Sequence, residues 1–303
     1  MRRRKTLNDM LAGWTMSEGA RDVVRGIIER SRRNAMVVVG ATIVIVMISL
    51  ALLAPVLPIA DPEERVDEIW QPPSDRHWFG TDELGRDVFS RVVYGTRVSL
   101  QVAMIAVSFS LLIGVMMGLT AGYFGGKTDY IISGTIDLFW TFPPFLLALA
   151  FAATLAKGGS LTAIAIAISI SYWAGFARLM RGQALSVRER QFVEASRALG
   201  AKNLRIMFTH VLPNCIAPLI VWASIGVADA ITIESSLSFL GVGTQPPTPS
   251  WGYMLYRGLP NLLEAPWMST FPGVVLLITV LGFNLLGDGM RDVLDPRMKG
   301  MRR

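Results

Sequence analysis

The sequence is poor in the residues that most often build catalytic and metal sites. It has one cysteine and two histidines in 303 residues, so no intramolecular disulfide can form. Neither His77 nor His210 has metal-ligand spacing to Cys215 or to the other histidine. A G-x-S-x-G nucleophile motif is absent as well. We therefore predict that this chain has no catalytic residues, no metal ligands and no cofactor-binding residues.

Charged residues are also scarce. Charged residues make up 17% of the chain, whereas a soluble domain has roughly 25%. Hydrophobic residues make up 52% and the mean hydropathy is +0.45, which predicts an integral membrane protein. The net charge is +6, but the basic residues cluster at the ends of apolar runs and do not form an aromatic-interleaved surface. This distribution indicates positive-inside bias, so we predict the lipid bilayer and no nucleic acid as a partner.

Six segments approach the length of about 20 mostly apolar residues that a membrane-spanning helix needs. They are 35–58, 99–123, 130–155, 161–179, 215–240 and 271–286. The first is too long for a signal-peptide core and is interpreted as a retained span. The third contains Asp137 and Pro143-Pro144, so we expect a kink there. The fourth alternates as "AIAIAIS", but both alternating sets are apolar and its length favours a helix.

The basic residues also predict the orientation of these spans. Lys and Arg number nine in 1–34, seven in 178–213 and five in 287–303, with one in the turn 124–129. The three segments on the opposite side hold seven together. The positive-inside rule then places both termini and the long loop in the cytoplasm.

The predicted organisation has five parts. They are a cytoplasmic tail 1–34, a first transmembrane helix 35–58, an extracytoplasmic loop 59–98, a core of five transmembrane helices 99–287 with a cytoplasmic loop 180–213, and a cytoplasmic tail 288–303. In the first tail, "DVVRGIIERSRRN" alternates apolar pairs with basic residues at helical spacing. This pattern is typical of an interfacial helix, although a disordered basic tail remains an alternative.

The cytoplasmic loop contains a candidate helix-turn-helix between Arg188 and Asn214. Phe192, Ala195 and Leu199 recur at helical spacing, and Gly200 follows as a C-terminal cap. A second short helix is expected over 202–210, broken by Leu212-Pro213, which opens the fifth span. Such an element either docks into a groove on a partner or rests on the lipid as an amphipathic loop.

This loop resembles the "EAA" loop of permease subunits of ABC importers. The matching residues, which the resemblance implies couple to the ATPase, are Glu194, Ala195, Ser196, Gly200, Leu212 and Pro213. Two positions depart from the general pattern, because Ser196 replaces an alanine and His210 stands where isoleucine is typical. The "HVLPN" form is similar to the peptide-transporter branch of the family.

Three further stretches carry the same resemblance over most of the chain. "HWFGTDELGRDVFSRVVYGTRVSL", "ESSLSFLGVGTQPPTPSWGYML" and "FNLLGDGMRDVLDPRMKG" are similar to segments of the C-type chain of dipeptide and oligopeptide permeases. The resemblance implies a type I ABC importer permease fold with an extra N-terminal helix, in a prokaryotic inner membrane. It also implies a B-type permease partner, two ATPase subunits that bind ATP and Mg, and an extracytoplasmic substrate-binding protein.

The long outer loops, 59–98 and 241–270, could receive that binding protein. The candidate docking residues are Gly80, Thr81, Asp82, Gly85, Arg86, Asp87, Pro246 and Pro247. Peptides are the expected cargo, while glutathione, a nickel chelate or another peptide-like solute fits the same architecture. An ion-coupled secondary transporter is the remote alternative, because it would use carboxylates within the membrane.

Two sets of residues inside the spans are further candidates. Gly114, Gly118 and Gly122 recur at a spacing of four, which favours close helix packing over simple tolerance of glycine. A carboxylate at the centre of a membrane helix costs about 2.5–3.5 kcal/mol. Asp137, Asp229 and Glu234 should therefore face a cavity, a partner or an interface. Asp229 and Glu234 are candidates for a translocation path, with structural hydrogen bonding as the alternative for Glu234.

One stretch could suggest that this chain binds ATP itself. "AGYFGGKTD", 121–129, fits a loose phosphate-loop pattern ending in Lys127 and Thr128. A working phosphate loop follows a buried strand, whereas this stretch follows an apolar run of membrane-helix length. It also resembles a turn of peptide permeases, so we interpret Lys127 as a positive-inside anchor. The chain is accordingly expected to be a transport subunit without an ATPase site of its own.

Overall fold

The computed structural model describes residues 26, 28–156 and 158–294. This part of the chain is helical apart from loops and turns, and an isolated bridge joins Thr81 to Asp87. In chain order the helices are α1 (Ala35–Leu53), α2 (Val88–Phe124), α3 (Gly126–Thr141), α4 (Pro144–Leu155), α5 (Leu161–Arg188), α6 (Gln191–Ala198), α7 (Asn203–Ile206), α8 (Leu212–Phe239), α9 (Trp251–Gly258) and α10 (Trp267–Leu294). A π-helical turn, Met207–Val211, joins α7 to α8.

Five helical segments are long and apolar enough to cross a membrane. They are α1, α2, α5, α10 and the continuous segment Asn203–Phe239 that ends in α8. The helices α3 and α4 pass the same test together, although they meet at an angle of 86°. The fold is therefore an all-α polytopic membrane protein, as predicted.

The pair α3 and α4 follows α5 along its length. Asp129 and Asp137 on α3 bond to Arg181 and Arg178 in the C-terminal half of α5. In contrast, α4 packs in an apolar cluster that includes Ile164 from the N-terminal half of α5. The described residues thus contain five segments of spanning length, and the expected six spans if this bent pair crosses the membrane as one broken span.

The third span is broken rather than kinked. Phe142 has an extended backbone, and Pro143 precedes the first residue of α4, Pro144. Both prolines lack an N–H and each disfavours helical geometry in the residue before it, so α3 cannot continue.

Two helices extend beyond their apolar runs. The helix α2 begins at Val88, where Asp87 caps it by accepting a 2.8 Å hydrogen bond from the N–H of Ser90. The sequence predicted this span only from about residue 99, because Arg91 and Arg97 interrupt the apolar pattern. Similarly, α5 continues to Arg188.

The helices α2 and α5 pack together at Gly114, Gly118 and Gly122, which we call the glycine ladder. A Cβ atom added at Gly114 would lie 2.5 Å from the Cβ of Phe176, and one at Gly122 would lie 2.7 Å from the Cβ of Ala184. At Gly118 the added atom would clash with the carbonyl oxygen of Ala177. All three glycines thus lie on one face of α2 and let the α5 backbone approach closely.

The first span is held by a second small-residue contact. A Cβ atom at Gly40 on α1 would lie 2.8 Å from the carbonyl oxygen of Gly282 on α10.

Of the predicted interfacial stretch, residues 28–33 are helical, and the rest lies outside the described residues except for Gly26 and Asn34. The C-terminal tail from residue 295 also lies outside them.

The packing of α2 against α5 predicts that alanine has different effects on stability at two glycines. We expect Gly118→Ala to lower the free energy of unfolding by about 1–3 kcal/mol, because backbone atoms of α5 cannot move aside easily. Gly182 on α5 is exposed with no atom within 4 Å of an added Cβ, so Gly182→Ala should be neutral or slightly stabilising. Thermal unfolding of detergent-solubilised protein checks both, and equal melting temperatures for the two variants would contradict the packing assignment.

Candidate functional site

A helical knob, residues 189–211, projects from the ends of α5 and α8. It contains α6, α7 and the π-helical turn. Gly200 ends α6 with φ +79°, its N–H donates to the carbonyl of Arg197, and the N–H of Ala201 donates to that of Ser196. This is the glycine-dependent cap expected from the sequence.

The inner face of the knob is anchored on α2 and α5. Four of its side chains are buried in one apolar cluster with side chains from those helices: Val193, Ile206, Met207 and Val211. The Tyr123 hydroxyl at the end of α2 donates a 3.0 Å hydrogen bond to Asn203 Oδ1. Arg188 at the end of α5 donates a 2.9 Å hydrogen bond to the carbonyl of Gly122. The knob is therefore attached to α2 and α5, the two helices that pack through the glycine ladder.

The predicted break at Leu212-Pro213 is wrong. The N–H of Leu212 bonds to the carbonyl of Met207, which is the wide spacing of a π-turn, and the helix continues into α8. Proline clashes with the carbonyl four residues before it in a regular helix, and a widened turn relieves that clash. The knob is thus the direct continuation of a membrane span, without a flexible joint.

The outer face of the knob exposes apolar side chains. Leu199 is 88% exposed and Leu204 65% exposed, at either side of the turn between α6 and α7. The predicted coupling residues lie around them: Glu194, Ala195, Gly200 and Pro213 are exposed, whereas Ser196 and Leu212 are half-buried. Large exposed apolar side chains beside charged residues are typical of a surface that a partner covers.

Of the two carboxylates proposed for a path, Glu234 is enclosed by the chain. It is 0% exposed and accepts 2.8 Å hydrogen bonds from Ser99 and Ser238 and a 3.1 Å bond from Thr244. A side chain without accessible surface does not line a path in this conformation, and its hydrogen bonds favour the structural alternative for Glu234. The hydrogen bonds of Glu234 join α2, α8 and the loop after α8.

Asp229 is exposed and lines a pocket of about 460 Å³ at the break between α3 and α4. Tyr172 on α5 lines the same pocket. The sequence did not single out Tyr172, or Trp140 and Trp222 in the same lining, because only the tertiary packing brings them together. Asp137 lies outside this lining and pairs with Arg178 at 2.6 Å.

The predicted docking residues of the first outer loop need a correction. Gly80, Thr81, Asp82, Gly85, Arg86 and Asp87 are all buried. Asp82 accepts hydrogen bonds from Arg86 and pairs with buried Arg91, so these charges neutralise one another inside the loop. They shape the loop and cannot themselves form its contact surface. Pro246 and Pro247 in the second loop are exposed.

Two further ion pairs hold the outer side together. Asp67 lies between the N–H of Glu68 and the ring of His77, and these contacts hold the pKa of Asp67 below its usual range. Arg257 on α9 donates a 2.8 Å hydrogen bond to Glu83, and this bond raises the pKa of Arg257. The second outer segment is therefore fastened to the first.

The stretch with a phosphate-loop pattern is helical on both sides of a tight turn. Residues 121–124 end α2, Gly125 has φ +67°, and α3 starts at Gly126. The match therefore lies at a helix-to-helix turn and lacks the preceding strand that a phosphate loop uses.

Comparison with known proteins identifies relatives along most of the chain. Residues 110–300 match the family described as binding-protein-dependent transport system inner membrane component. The dipeptide transport system permease protein DppC of Alkalihalophilus pseudofirmus is 45% identical over 91% of this chain and 90% of its own length. The oligopeptide permease OppC of Bacillus subtilis is 40% identical, covering 89% and 88%.

Two further comparisons bear on cargo and fold. The glutathione permease GsiD of an Escherichia coli strain is 41% identical over 89% of each chain. A structure described as an inward-facing conformation of the MetNI methionine ABC transporter aligns with a TM-score of 0.57 at 20% identity, covering 68% of this chain and 98% of that one. The latter likeness concerns the fold alone.

The enclosed carboxylate provides a stability test. We expect Glu234→Ala to lower the free energy of unfolding by about 2–3 kcal/mol, because buried hydroxyl groups lose their hydrogen-bond partner. Glu264→Ala is the control, since Glu264 is exposed and surface changes usually stay within about 0.5 kcal/mol. Thermal unfolding in detergent measures both, and an unchanged melting temperature for Glu234→Ala would show that its hydrogen bonds do not hold the three elements together.

Proposed function

The chain belongs to the family of binding-protein-dependent transport system inner membrane components, and from that premise we propose that it is a permease subunit of an ATP-driven importer of di- or oligopeptides. Relatives named for dipeptide and oligopeptide transport, each matching about nine-tenths of the chain, support this cargo. Glutathione is the second candidate, because relatives named for it reach similar identity.

The helical knob carries the mechanistic part of the proposal. Its inner face is buried against α2 and α5, while Leu199 and Leu204 are exposed on its outer face. We assign the outer face, together with Glu194 and Ala195, as the surface that enters a cleft on an ATPase subunit. Movement of that cleft would then displace α2 and α5, against which the knob is packed, and α8, into which the knob continues.

The proposed assembly contains this chain, a B-type permease subunit, two ATPase subunits and an extracytoplasmic binding protein. ATP and Mg belong to the ATPase subunits. The binding protein would meet the outer loops at exposed residues such as Pro246 and Pro247. Both termini and the knob would lie in the cytoplasm of a prokaryotic cell, because the Lys and Arg residues concentrate on that side.

The knob assignment predicts a loss of ATPase binding on substitution. We expect Leu199→Asp combined with Leu204→Asp to reduce co-purification of the ATPase subunits at least tenfold, because an unpaired carboxylate would enter an apolar contact. Leu263→Asp is the matched control, since Leu263 is 100% exposed on the opposite side of the chain. Normal ATPase recovery and normal ATP-dependent peptide uptake in the double variant would overturn the assignment.

The proposed orientation can be tested by thiol labelling. The native Cys215 is the one cysteine and is buried, so it gives little background. We expect Leu263→Cys to react with a membrane-impermeant maleimide in intact spheroplasts, and Leu199→Cys to react only after the membrane is permeabilised. The reverse pattern would place the knob outside and contradict the topology.

An ion-coupled transporter would behave differently in reconstitution. Uptake by the purified chain alone in liposomes with a pH gradient, without ATP or partner subunits, would favour that alternative over the importer.

A further inference from the structure

The pocket beside Asp229 lies where the third span is broken. Its lining joins the end of α3 and start of α4 to the middle of α5 and α8, and includes Trp140, Phe142, Tyr172, Trp222 and Asp229. These positions fall near the centres of their spans, so the pocket is at membrane depth. A volume of about 460 Å³ is in the range of small-molecule sites.

The charge of the pocket favours a cation. Asp229 is its acidic residue, and none of the residues that line it is basic. The guanidinium of Arg178, on the neighbouring surface, is already bonded to Asp137 at 2.6 Å and lies over the ring of Trp140, 4.6 Å from its centroid. The Asp229 charge is therefore left for a ligand.

Asp229 differs in this respect from the other membrane carboxylates. Glu234 is enclosed by hydroxyl donors, and Asp137 and Asp129 each pair with an arginine. For Asp229, Tyr172 is the side-chain contact that the described residues supply, and the carboxylate remains exposed to the cavity. A carboxylate at this depth is costly, and such groups characteristically mark a substrate or ion pathway.

The aromatic side chains define the kind of cation. Trp140, Phe142 and Trp222 are 46%, 50% and 41% exposed. Indole rings attract an ammonium group electrostatically, most strongly where water is excluded. A hydrated metal ion would instead need several oxygen ligands, whereas this lining has one carboxylate.

We propose that this pocket is a transit site for the free ammonium group of the transported solute. Asp229 pairs with the ammonium beside Tyr172, and Trp222 and Phe142 provide the aromatic surface, since Arg178 already stacks on Trp140. The inference rests on the proposed importer function and adds to it a chemical requirement, which is a free amino group on the cargo. It assigns Asp229 to recognition and leaves Glu234 as a structural residue.

The test uses the whole transporter complex in detergent without binding protein, so that recognition by that protein does not contribute. The probes are a dialanine with a photoreactive diazirine side chain and a free amino terminus, and its N-acetylated counterpart. We expect the free-amine probe to label peptides containing 139–144 or 222–229. Asp229→Asn should reduce this labelling at least tenfold, and the N-acetylated probe should label the wild-type complex as weakly as the variant.

The matched control is Asp288→Asn, which removes an exposed carboxylate at the far end of α10 and should leave labelling unchanged. Thermal unfolding and ATPase co-purification show whether each variant complex is intact. Equal labelling by both probes, or undiminished labelling in an intact Asp229→Asn complex, would overturn the inference. ATP-dependent peptide uptake by the wild-type complex is measured separately, so its failure would count against the importer function and not against the pocket.

Discussion

The close approach of α2 and α5 through three glycines is the contact on which the other functional features depend. In lipid there is little hydrophobic drive between helices, so their association relies on van der Waals packing, and small residues allow the backbones to meet. Gly114, Gly118 and Gly122 place α2 against the half of α5 that leads to the knob. Arg188 and Tyr123 then join the two helix ends to each other and to α7. A side chain at any rung would separate the helices and withdraw the support of the knob.

A second constraint is that polar groups within the bilayer need partners inside the protein. It distinguishes charged residues that hold the structure together from those that are left to bind a ligand. Arg91 is buried at the outer end of α2 and bonds to Asp82 and to the carbonyl of Pro62. Glu234 is similarly surrounded by hydroxyl groups. Both residues extend the ordered structure into the outer loops. Asp229 makes no ion pair among the described residues and faces a cavity, so the same constraint leads to the opposite interpretation for it.

The sequence predicted those features that depend on local pattern. Apolar length identified the spans, the spacing of four identified the packing face, and Gly200 identified the end of α6. Features that depend on pairing across the chain were not predictable in this way. The segment 80–87 is polar and glycine-rich, which is typical of an exposed loop, yet Asp82, Arg86 and Asp87 are buried and the first two pair inside the loop. The π-turn before Pro213 was missed because proline normally marks a break, and only the observed hydrogen bond shows how the helix continues.

The knob and the pocket are connected by one uninterrupted helix. In α5, Arg188 lies at the knob and Tyr172 at the pocket, about 24 Å apart at the usual rise per residue. This helix contains no proline, so it transmits a displacement of the knob as a nearly rigid body. The opposite wall of the pocket is formed at the α3–α4 break, where two prolines remove helical hydrogen bonds. With one rigid wall and one wall interrupted by prolines, the pocket would change its width if the rigid wall moved, which would link a displacement of the knob to the site that holds Asp229.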